Sequence, residues 1–246
     1  KVTGVQTCAL PISLLSEDAL LGGAVTIRQP RTGYRVSSDA VLLAAFAPVT
    51  PGQRVLDLGT GYGQVALCLL AREPTLQVVG LELLPDVAAL AMDNARRNHV
   101  ADRFAVRCGT VSESVFSGDF DVVVCNPPYR PARMHTASAN RIKAAATIES
   151  PDVPLDRWAQ AAVQALKPAG VLVLIHDAAR EADLLLALAN SGLGCLELLP
   201  LQPRAGMLPK RLIVRARHGV LQEPVRLPGL VLHEEDGRWC AAVDAA

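Results

Sequence analysis

The chain has 246 residues, of which half are apolar, and its 24 basic and 24 acidic residues leave a formal net charge of zero. This length gives one large domain or two small ones ample room for a core. The balanced charge excludes a global attraction to nucleic acid, and no apolar stretch of the sequence approaches the length of a membrane-spanning helix.

The cysteines and histidines indicate a reduced protein without a metal. The six cysteines form no Cys-x-x-Cys pair, and four of them lie in apolar strand or helix patterns: Cys68, Cys108, Cys125 and Cys195. We therefore expect reduced core thiols and a cytoplasmic protein. His135 and His176 have no partners at metal-ligand spacing, so we expect no metal site.

The N-terminal part of the chain divides into two segments. Residues 1–13 lead into no motif and resemble the translation of a sequencing adapter, so we expect them to be foreign sequence; a genuine variable tail is the alternative. Residues 14–50 are expected to form an N-terminal cap segment. Within it, residues 20–36 are turn-rich and favour a small hairpin, and Ser38 and Asp39 can cap a helix that ends at Phe46.

A short strand and a glycine-rich loop open the next segment. Residues 55–58 have the pattern of a buried strand and run into Gly59-Thr60-Gly61-Tyr62-Gly63, before a helical pattern over residues 64–71. The glycines let the backbone turn tightly and lie close to a ligand. Gln64 stands where a dinucleotide-binding fingerprint has its third glycine, so no pyrophosphate is implied. Asp57 is a candidate for contact with a cofactor, and capping of the turn is its alternative role.

Two more predicted strands end in polar residues. The strand over residues 77–81 ends in Glu82, whose carboxylate can accept hydrogen bonds from both hydroxyls of a ribose. A solvated acid at a strand end is the alternative. The strand Phe104–Cys108 is followed by Gly109 and Thr110.

The most informative motif is Asn126-Pro127-Pro128-Tyr129, which follows the predicted strand Phe120–Cys125. An exocyclic amino group on a base, like an amide nitrogen, shares its lone pair with a π system, so its methylation needs acceptors that hold its hydrogens. The Asn126 side-chain oxygen and the Pro127 carbonyl are such acceptors, and the two prolines stiffen the turn. Tyr129 offers a flat face for a base. With the glycine-rich loop upstream, the motif predicts methyl transfer from S-adenosylmethionine to a planar nitrogen, rather than a plain proline-rich turn.

The remaining pattern predicts an α/β fold. A strand over residues 171–175, a helix over 181–191 that stops at Gly192, and strands over 195–199 and 211–215 continue the alternation. Alternating strands and helices indicate a parallel sheet with helices on both faces. We expect the core at residues 51–219 and a mostly acidic tail at 220–246.

Two acid-free basic runs interrupt the balanced charge. The first contains Arg130, Arg133, Arg141 and Lys143, and the second contains Arg204, Lys210, Arg211, Arg215 and Arg217. Basic runs beside a base pocket suit phosphate contacts, so we expect the first run to bind substrate through Arg130, Arg133 and Lys143. The alternative is that these basic residues lie on a solvent-exposed strand edge, where charge prevents pairing with another strand.

The two motifs together resemble the Rossmann-like class I methyltransferases. More narrowly, the chain resembles the bacterial tRNA adenine-N6 methyltransferases that act on the adenosine next to the anticodon of a valine tRNA. Further matching segments are residues 33–35, 38–44, 89–98 and 166–170. The resemblance covers roughly residues 20–240. It implies a seven-stranded, mostly parallel sheet whose last strand is antiparallel and lies between its two predecessors. It also implies S-adenosylmethionine as cofactor and RNA, specifically tRNA, as substrate.

The resemblance also assigns roles to single residues. The catalytic group is Asn126, Pro127, Pro128 and Tyr129. The implied cofactor-binding residues are Asp39, Asp57, Gly59, Thr60, Gly61, Gly63, Glu82, Leu83, Thr110 and Asn126. One residue departs from the family: many relatives carry an Asp at the position of Thr110, and that acid contacts the adenine amino group of the cofactor. Thr110 retains a hydrogen-bond acceptor there.

Three other functions remain open. A protein glutamine N5-methyltransferase of the release-factor type shares the Asn-Pro-Pro-Tyr turn, but that family has a substantial helical domain before its glycine loop. A methyltransferase for another RNA base amino group uses the same chemistry. A non-enzymatic partner subunit is opposed by the intact glycines, Glu82 and Asn126. A DNA methyltransferase is disfavoured because no segment is large enough for a separate target-recognition domain.

Overall fold

The computed structural model describes residues 12–113, 116–129, 141–150, 153–220 and 223–244. The N-terminal part forms an antiparallel hairpin followed by a helix: β1 (Leu15–Leu20), β2 (Val25–Pro30) and α1 (Ser38–Phe46). Strands and helices then alternate: β3 (Arg54–Leu58), α2 (Gln64–Arg72), β4 (Gln77–Glu82), α3 (Pro85–Arg97), β5 (Phe104–Cys108), β6 (Phe120–Cys125), α4 (Arg141–Thr147), α5 (Leu155–Ala165) and β7 (Leu166–Asp177). The last elements are α6 (Glu181–Asn190), β8 (Leu193–Gln202), β9 (Arg211–His218), β10 (Val225–Arg226), β11 (Leu230–Val231) and α7 (Ala241–Asp244).

The main sheet has the predicted mixed topology. Its strands follow the order β10-β8-β9-β7-β6-β3-β4-β5, and β11 also pairs with β8. The five strands from β5 to β7 are mutually parallel. β9 is antiparallel and lies between β7 and β8, as expected. The sheet has nine strands rather than seven, because β10 and β11 extend the β8 edge with two residues each.

Helices cover both faces of the sheet. Along β3, Val55 belongs to the same hydrophobic cluster as Leu69 of α2, and its neighbour Leu56 belongs to the cluster that contains Ala162 of α5. This alternation follows from the two-residue period of a strand. α2 is buried from Gln64 to Leu70, which explains why its sequence is apolar on all sides.

The N-terminal hairpin is attached to the sheet domain through α3. The Asn98 side chain accepts from the Thr26 amide at 2.8 Å and donates to the Thr26 carbonyl at 2.7 Å. Asn94 makes the same pair of bonds with Arg28 and also donates to the Tyr62 carbonyl at 2.9 Å. The two asparagines thus pair with the edge of β2 as a neighbouring strand would. Asn94 also links the hairpin to the glycine-rich loop.

Two local expectations are wrong. The N-cap of α1 is Ser37, so Ser38 and Asp39 lie inside the helix and not at its cap. Cys108 is exposed, whereas Cys68, Cys125 and Cys195 are buried free thiols as predicted. Residues 166–170 begin β7 irregularly, with Ala169 at a φ of 63° and a register shift between Phe120 and Val122.

Candidate active site

A cleft opens where the parallel strands end. β3 continues into the glycine-rich loop, β4 ends at Glu82, and β6 ends one residue before Asn126. β4 and β6 flank β3 on opposite sides, and open α/β sheets bind ligands at such a switch point. The cleft holds about 150 Å³ of enclosed space and is open to solvent on one side.

The glycine-rich loop needs glycine for two reasons. Gly59, Gly61 and Gly63 have left-handed backbone, with φ of 74°, 57° and 86°. A Cβ on Gly59 would lie 2.9 Å from the Trp158 indole, and a Cβ on Gly63 would lie 2.8 Å from the Phe104 ring. Gly59 and Gly61 line the cleft. Gly63 packs against Phe104 of β5, so its missing side chain lets the loop pack on the core, and its cofactor contact stays a prediction.

Asp57 and Thr60 hold the loop from beneath. Asp57 is 1% exposed, and its Oδ2 accepts from the Thr60 hydroxyl at 2.7 Å. The carboxylate also accepts from the backbone amide of Ala66, and burial raises the pKa of Asp57 to about 7. Thr60 packs against Gly80, where a Cβ would lie 2.6 Å from its Cγ2. Both side chains support the loop, and their predicted contact with the cofactor stays a prediction.

Glu82 joins the loop to the end of β4. Its Oε2 accepts from the Gly61 amide at 3.0 Å, and its Oε1 accepts from the Leu84 amide at 2.9 Å. Burial raises the pKa of this carboxyl. Each carboxylate oxygen accepts more than one hydrogen bond, so Glu82 retains acceptors that face the cleft. Leu83 and Thr110 line the cleft beside it, and the Thr110 hydroxyl accepts from the Ser112 amide at 3.3 Å.

The turn of residues 126–129, here called the catalytic turn, forms the opposite wall. Asn126 and Pro128 line the cleft, and Pro127 is buried. The Tyr129 hydroxyl lies 2.5 Å from Asn126 Oδ1 and 3.2 Å from Asp39 Oδ2, so its single hydrogen is shared between two acceptors. Burial and the charge of Asp39 raise the pKa of Tyr129 well above its usual value, which keeps the hydroxyl a donor.

Tyr129 is enclosed by charged and aromatic neighbours. The Arg211 guanidinium carbon lies 4.6 Å from the centre of the ring, and the His176 ring meets it edge-on with centroids 5.2 Å apart. Arg211 Nε also donates to Asp39 Oδ2 at 3.1 Å. Arg211, Asp39 and Tyr129 therefore form one cluster behind Asn126.

This cluster involves two of the predicted site residues. The Asp39 carboxylate holds Tyr129 and Arg211, and its predicted contact with the cofactor stays a prediction. The Tyr129 ring has Arg211 over one face and turns its hydroxyl towards Asn126, and stacking of a base on this ring stays a prediction.

Several residues around the turn belong to neither sequence motif. Arg180 donates to the Tyr129 carbonyl at 3.3 Å and pairs with Glu149 at 3.1 Å, with both side chains largely buried. Trp158 of α5 lines the cleft, as does Tyr34, which lies in the matching segment 33–35. Arg180, Glu149 and Trp158 are far from either motif in the sequence, so only the fold brings them to the site.

Helix α4 contributes apolar residues to the cleft, including Ile142 and Ala145. Lys143, a predicted substrate-binding residue, is exposed on the same helix. Arg130 and Arg133 lie outside the described residues, so only Lys143 of the three can be located.

The second basic run does not act as one surface. Arg215 pairs with Glu197 at 2.5 Å and lies over the Phe46 ring, and Arg211 is engaged with Asp39. Arg211 is opposite Asp177 at the cleft edge, whereas Arg217 is opposite Val171 at the other edge. Arg211, Arg215 and Arg217 therefore do not form one continuous surface at the cleft.

Within the described ranges, no group of His, Cys, Asp and Glu is arranged to hold a metal ion. His176 is buried, neither ring nitrogen has a hydrogen-bond partner among the described residues, and burial lowers its pKa to about 4. His135 lies outside these ranges. Among the described helices, none is long and apolar enough to cross a membrane.

Comparison with known proteins shows that the chain resembles known methyltransferases. The family model of the methyltransferase small domain matches residues 35–190. A tRNA1(Val) (adenine(37)-N6)-methyltransferase of Actinobacillus pleuropneumoniae is 30% identical over 217 residues, which cover 88% of this chain and 89% of that protein. The Porphyromonas gingivalis protein of the same name is 32% identical over 196 residues, or 76% of each chain.

Solved structures share the fold at lower identity. A predicted O-methyltransferase from Agrobacterium tumefaciens superposes with a TM-score of 0.69 at 23% identity, over 84% of this chain and 93% of that one. A geranyl diphosphate C-methyltransferase from Streptomyces coelicolor superposes with a TM-score of 0.56 at 14% identity, over 74% of this chain and 78% of that one. The cleft, the catalytic turn and these relatives lead to one conclusion: the chain is a methyltransferase and belongs to the methyltransferase small domain family, with the tRNA1(Val) (adenine(37)-N6)-methyltransferases among its relatives.

Proposed function

We propose that this enzyme transfers a methyl group from S-adenosylmethionine to the N6 amino group of an adenine in tRNA, namely adenine 37 of a valine tRNA. The observation that carries the proposal is the position of Asn126, which lines the cleft opposite Glu82 with its Oδ1 hydrogen-bonded by Tyr129. The relatives that match most of the chain are named for this base and this RNA.

The residues of the cleft fit S-adenosylmethionine. Glu82 provides the carboxylate that accepts ribose hydroxyls, and Gly59 and Gly61 bring backbone to the ligand without a side chain. Leu83 and Thr110 flank the position of the adenine ring of the cofactor. When bound, the cofactor supplies a methyl group on a positively charged sulfur.

The catalytic turn prepares the nitrogen that receives the methyl group. Asn126 Oδ1 and the Pro127 carbonyl accept the two amino hydrogens of adenine, which favours a pyramidal nitrogen with a localised lone pair. Because the Tyr129 hydroxyl donates to Oδ1, it selects the amide orientation in which the oxygen occupies this position. The acceptor is thus in place before the substrate binds. Orientation of the adenine nitrogen against the methyl group provides most of the remaining rate acceleration.

The substrate side supports an RNA partner. Lys143 on α4, with Arg130 and Arg133 of the preceding segment, is proposed to contact phosphates around the flipped adenine. A tRNA substrate and the free thiols Cys68, Cys125 and Cys195 fit an enzyme of the cytoplasm.

The test is nucleoside mass spectrometry after a reaction with methyl-labelled cofactor. Unmodified bacterial tRNA and a bacterial release factor are offered together, and we expect the label in N6-methyladenosine. Asn190→Ala, at an exposed position at the end of α6, is a matched control that should leave the product unchanged. Label on a glutamine of the release factor, with none in tRNA, would assign the enzyme to the protein-modifying class instead.

A further inference from the structure

The connection between β8 and β9, residues 203–210 (the β8–β9 loop), projects from the same edge of the sheet as the catalytic turn. Arg211 immediately follows it and lies over Tyr129. The Lys210 carbonyl accepts from the Ala178 amide at 3.2 Å, and Ala178 begins the short turn that carries Arg180. The loop is therefore anchored beside the turn on two sides.

The loop has a fixed backbone and an apolar tip. The Met207 amide donates to the Arg204 carbonyl at 3.2 Å, and the Gln202 side chain donates to the Met207 carbonyl at 3.3 Å. Yet Met207 is 43% exposed and Leu208 is 86% exposed, the highest value among the large exposed apolar residues. A single exposed leucine is ordinary in a soluble protein. An adjacent apolar pair on a hydrogen-bonded turn beside an active site is not explained by packing.

Charge on the loop has one sign. Arg204 and Lys210 flank the apolar pair, and residues 203–210 contain no acid. Neither side chain forms an ion pair with any described residue. A cation on each side of an apolar tip matches a nucleic-acid strand, in which phosphates flank a gap between bases.

We propose that the β8–β9 loop keeps the substrate adenine out of the base stack. Leu208, supported by Met207, occupies the space that the adenine vacates, and Arg204 and Lys210 contact the phosphates on either side. An adenine in a stacked tRNA loop must unstack before its amino group can reach Asn126, and an inserted apolar side chain offsets the lost stacking. This inference rests on the proposed function and adds the element that recognises single-stranded RNA next to the target.

Two RNA substrates test the role of Leu208. One is an anticodon stem-loop and the other is a linear oligonucleotide of the same sequence around the target. Leu208→Ser should raise KM for the stem-loop about tenfold, because unstacking costs a few kcal/mol, and should leave KM for the linear RNA near that of the parent. In a stem-loop with 2-aminopurine at the target position, the fluorescence of the 2-aminopurine should rise when the parent enzyme binds. The rise should be smaller with Leu208→Ser. Leu186→Ser, which changes a leucine on α6 that is 62% exposed, is the control and should behave as the parent.

A salt titration tests the two cations. Arg204→Ala and Lys210→Ala should each flatten the slope of log affinity against log salt by about one unit. Arg217→Ala, in the same basic run but at the far sheet edge, should leave the slope unchanged.

The outcomes separate the loop from the proposed function. Methylation of the stem-loop by the parent, with equal KM and equal fluorescence for Leu208→Ser, would overturn the role of the loop alone. No methylation of either RNA by the parent would overturn the proposed function. A KM increase of the same size on both RNAs would mean that Leu208 makes an ordinary contact and does not fill a base gap, which also overturns the inference.

Discussion

The cofactor half and the substrate half of the site are built differently. In the cofactor half, Gly59, Gly61, Glu82 and Thr110 follow three neighbouring strands, and backbone amides hold the Glu82 carboxylate. In the substrate half, Tyr129 binds Asp39, 90 residues before it, and Asp39 binds Arg211, 172 residues after it. The first half depends on strand order and local backbone. The second depends on side chains that only tertiary structure brings together, so changes in the two halves should affect different measured quantities.

The largest effect is expected at Asn126, where the halves meet. Asn126→Ala removes the acceptor that holds the amino hydrogens, so turnover should fall by about 100-fold or more. Cofactor affinity in calorimetry should stay close to the parent value, because Glu82 and the glycine-rich loop are unchanged. The matched control is Asn190→Ala. Near-parental turnover of Asn126→Ala would remove this residue from catalysis.

Glu82→Ala should damage the cofactor half alone. Loss of the carboxylate leaves ribose hydroxyls and the Gly61 amide without their acceptor, which should weaken cofactor binding by about 1–3 kcal/mol. At saturating cofactor, turnover should recover towards the parent value. The control is Glu113→Ala, in the exposed turn after Thr110. Unchanged affinity in a folded Glu82→Ala protein would exclude Glu82 from the binding site.

Gly63→Ala tests whether the loop is held by packing as well as by its conformation. The new Cβ would meet the Phe104 ring at 2.8 Å, and such overpacking should lower the free energy of unfolding by about 1–3 kcal/mol. Gly52→Ala is the matched control, because Gly52 has a similar φ of 76° but no atom within 4 Å of the new Cβ. Equal loss in both variants, measured by denaturant unfolding, would mean that backbone conformation alone matters.

The smallest effects are expected in the substrate cluster, and they should depend on one another. Tyr129→Phe and Asp39→Asn should each lower turnover a few-fold while leaving cofactor affinity unchanged. If Asp39 acts through the Tyr129 hydroxyl, Asp39→Asn should have little further effect in the Tyr129→Phe background, so the coupling should equal the loss in the single variant, about 0.5–1 kcal/mol. Steady-state kinetics of the two single variants and the double variant measure this coupling. Additive losses would show that Asp39 works independently of the hydroxyl.

The strands that position the site were predictable because their buried residues form short apolar runs. Phe104–Cys108 and Phe120–Cys125 have the predicted bounds, and Gly59, Gly61, Glu82 and Asn126 lie at one edge as expected. β10 and β11 were missed because two-residue strands have no measurable periodicity.

The direction of side chains within the motifs was not predictable. Asp57 and Thr60 belong to the same motif as Gly59 and Gly61 but are buried, and Gly63 packs against Phe104, because the positive φ angles of this loop give its residues no regular side-chain period. The basic residues after Lys210 are close in sequence but do not form one surface, for a geometric reason. A strand rises about 3.3 Å per residue, so Arg211 and Arg217 lie at opposite edges of the sheet, although they are near in sequence.

The most direct test of the central claim uses one defined substrate. A valine tRNA transcript with adenine at position 37 is incubated with the enzyme and methyl-labelled S-adenosylmethionine. Adenine 37 is the base that appears in the names of the relatives. A second transcript carries guanine at that position. We expect labelled N6-methyladenosine in the first transcript and no label in the second. Equal labelling of both transcripts, or label in neither, would contradict N6-methylation of this adenine.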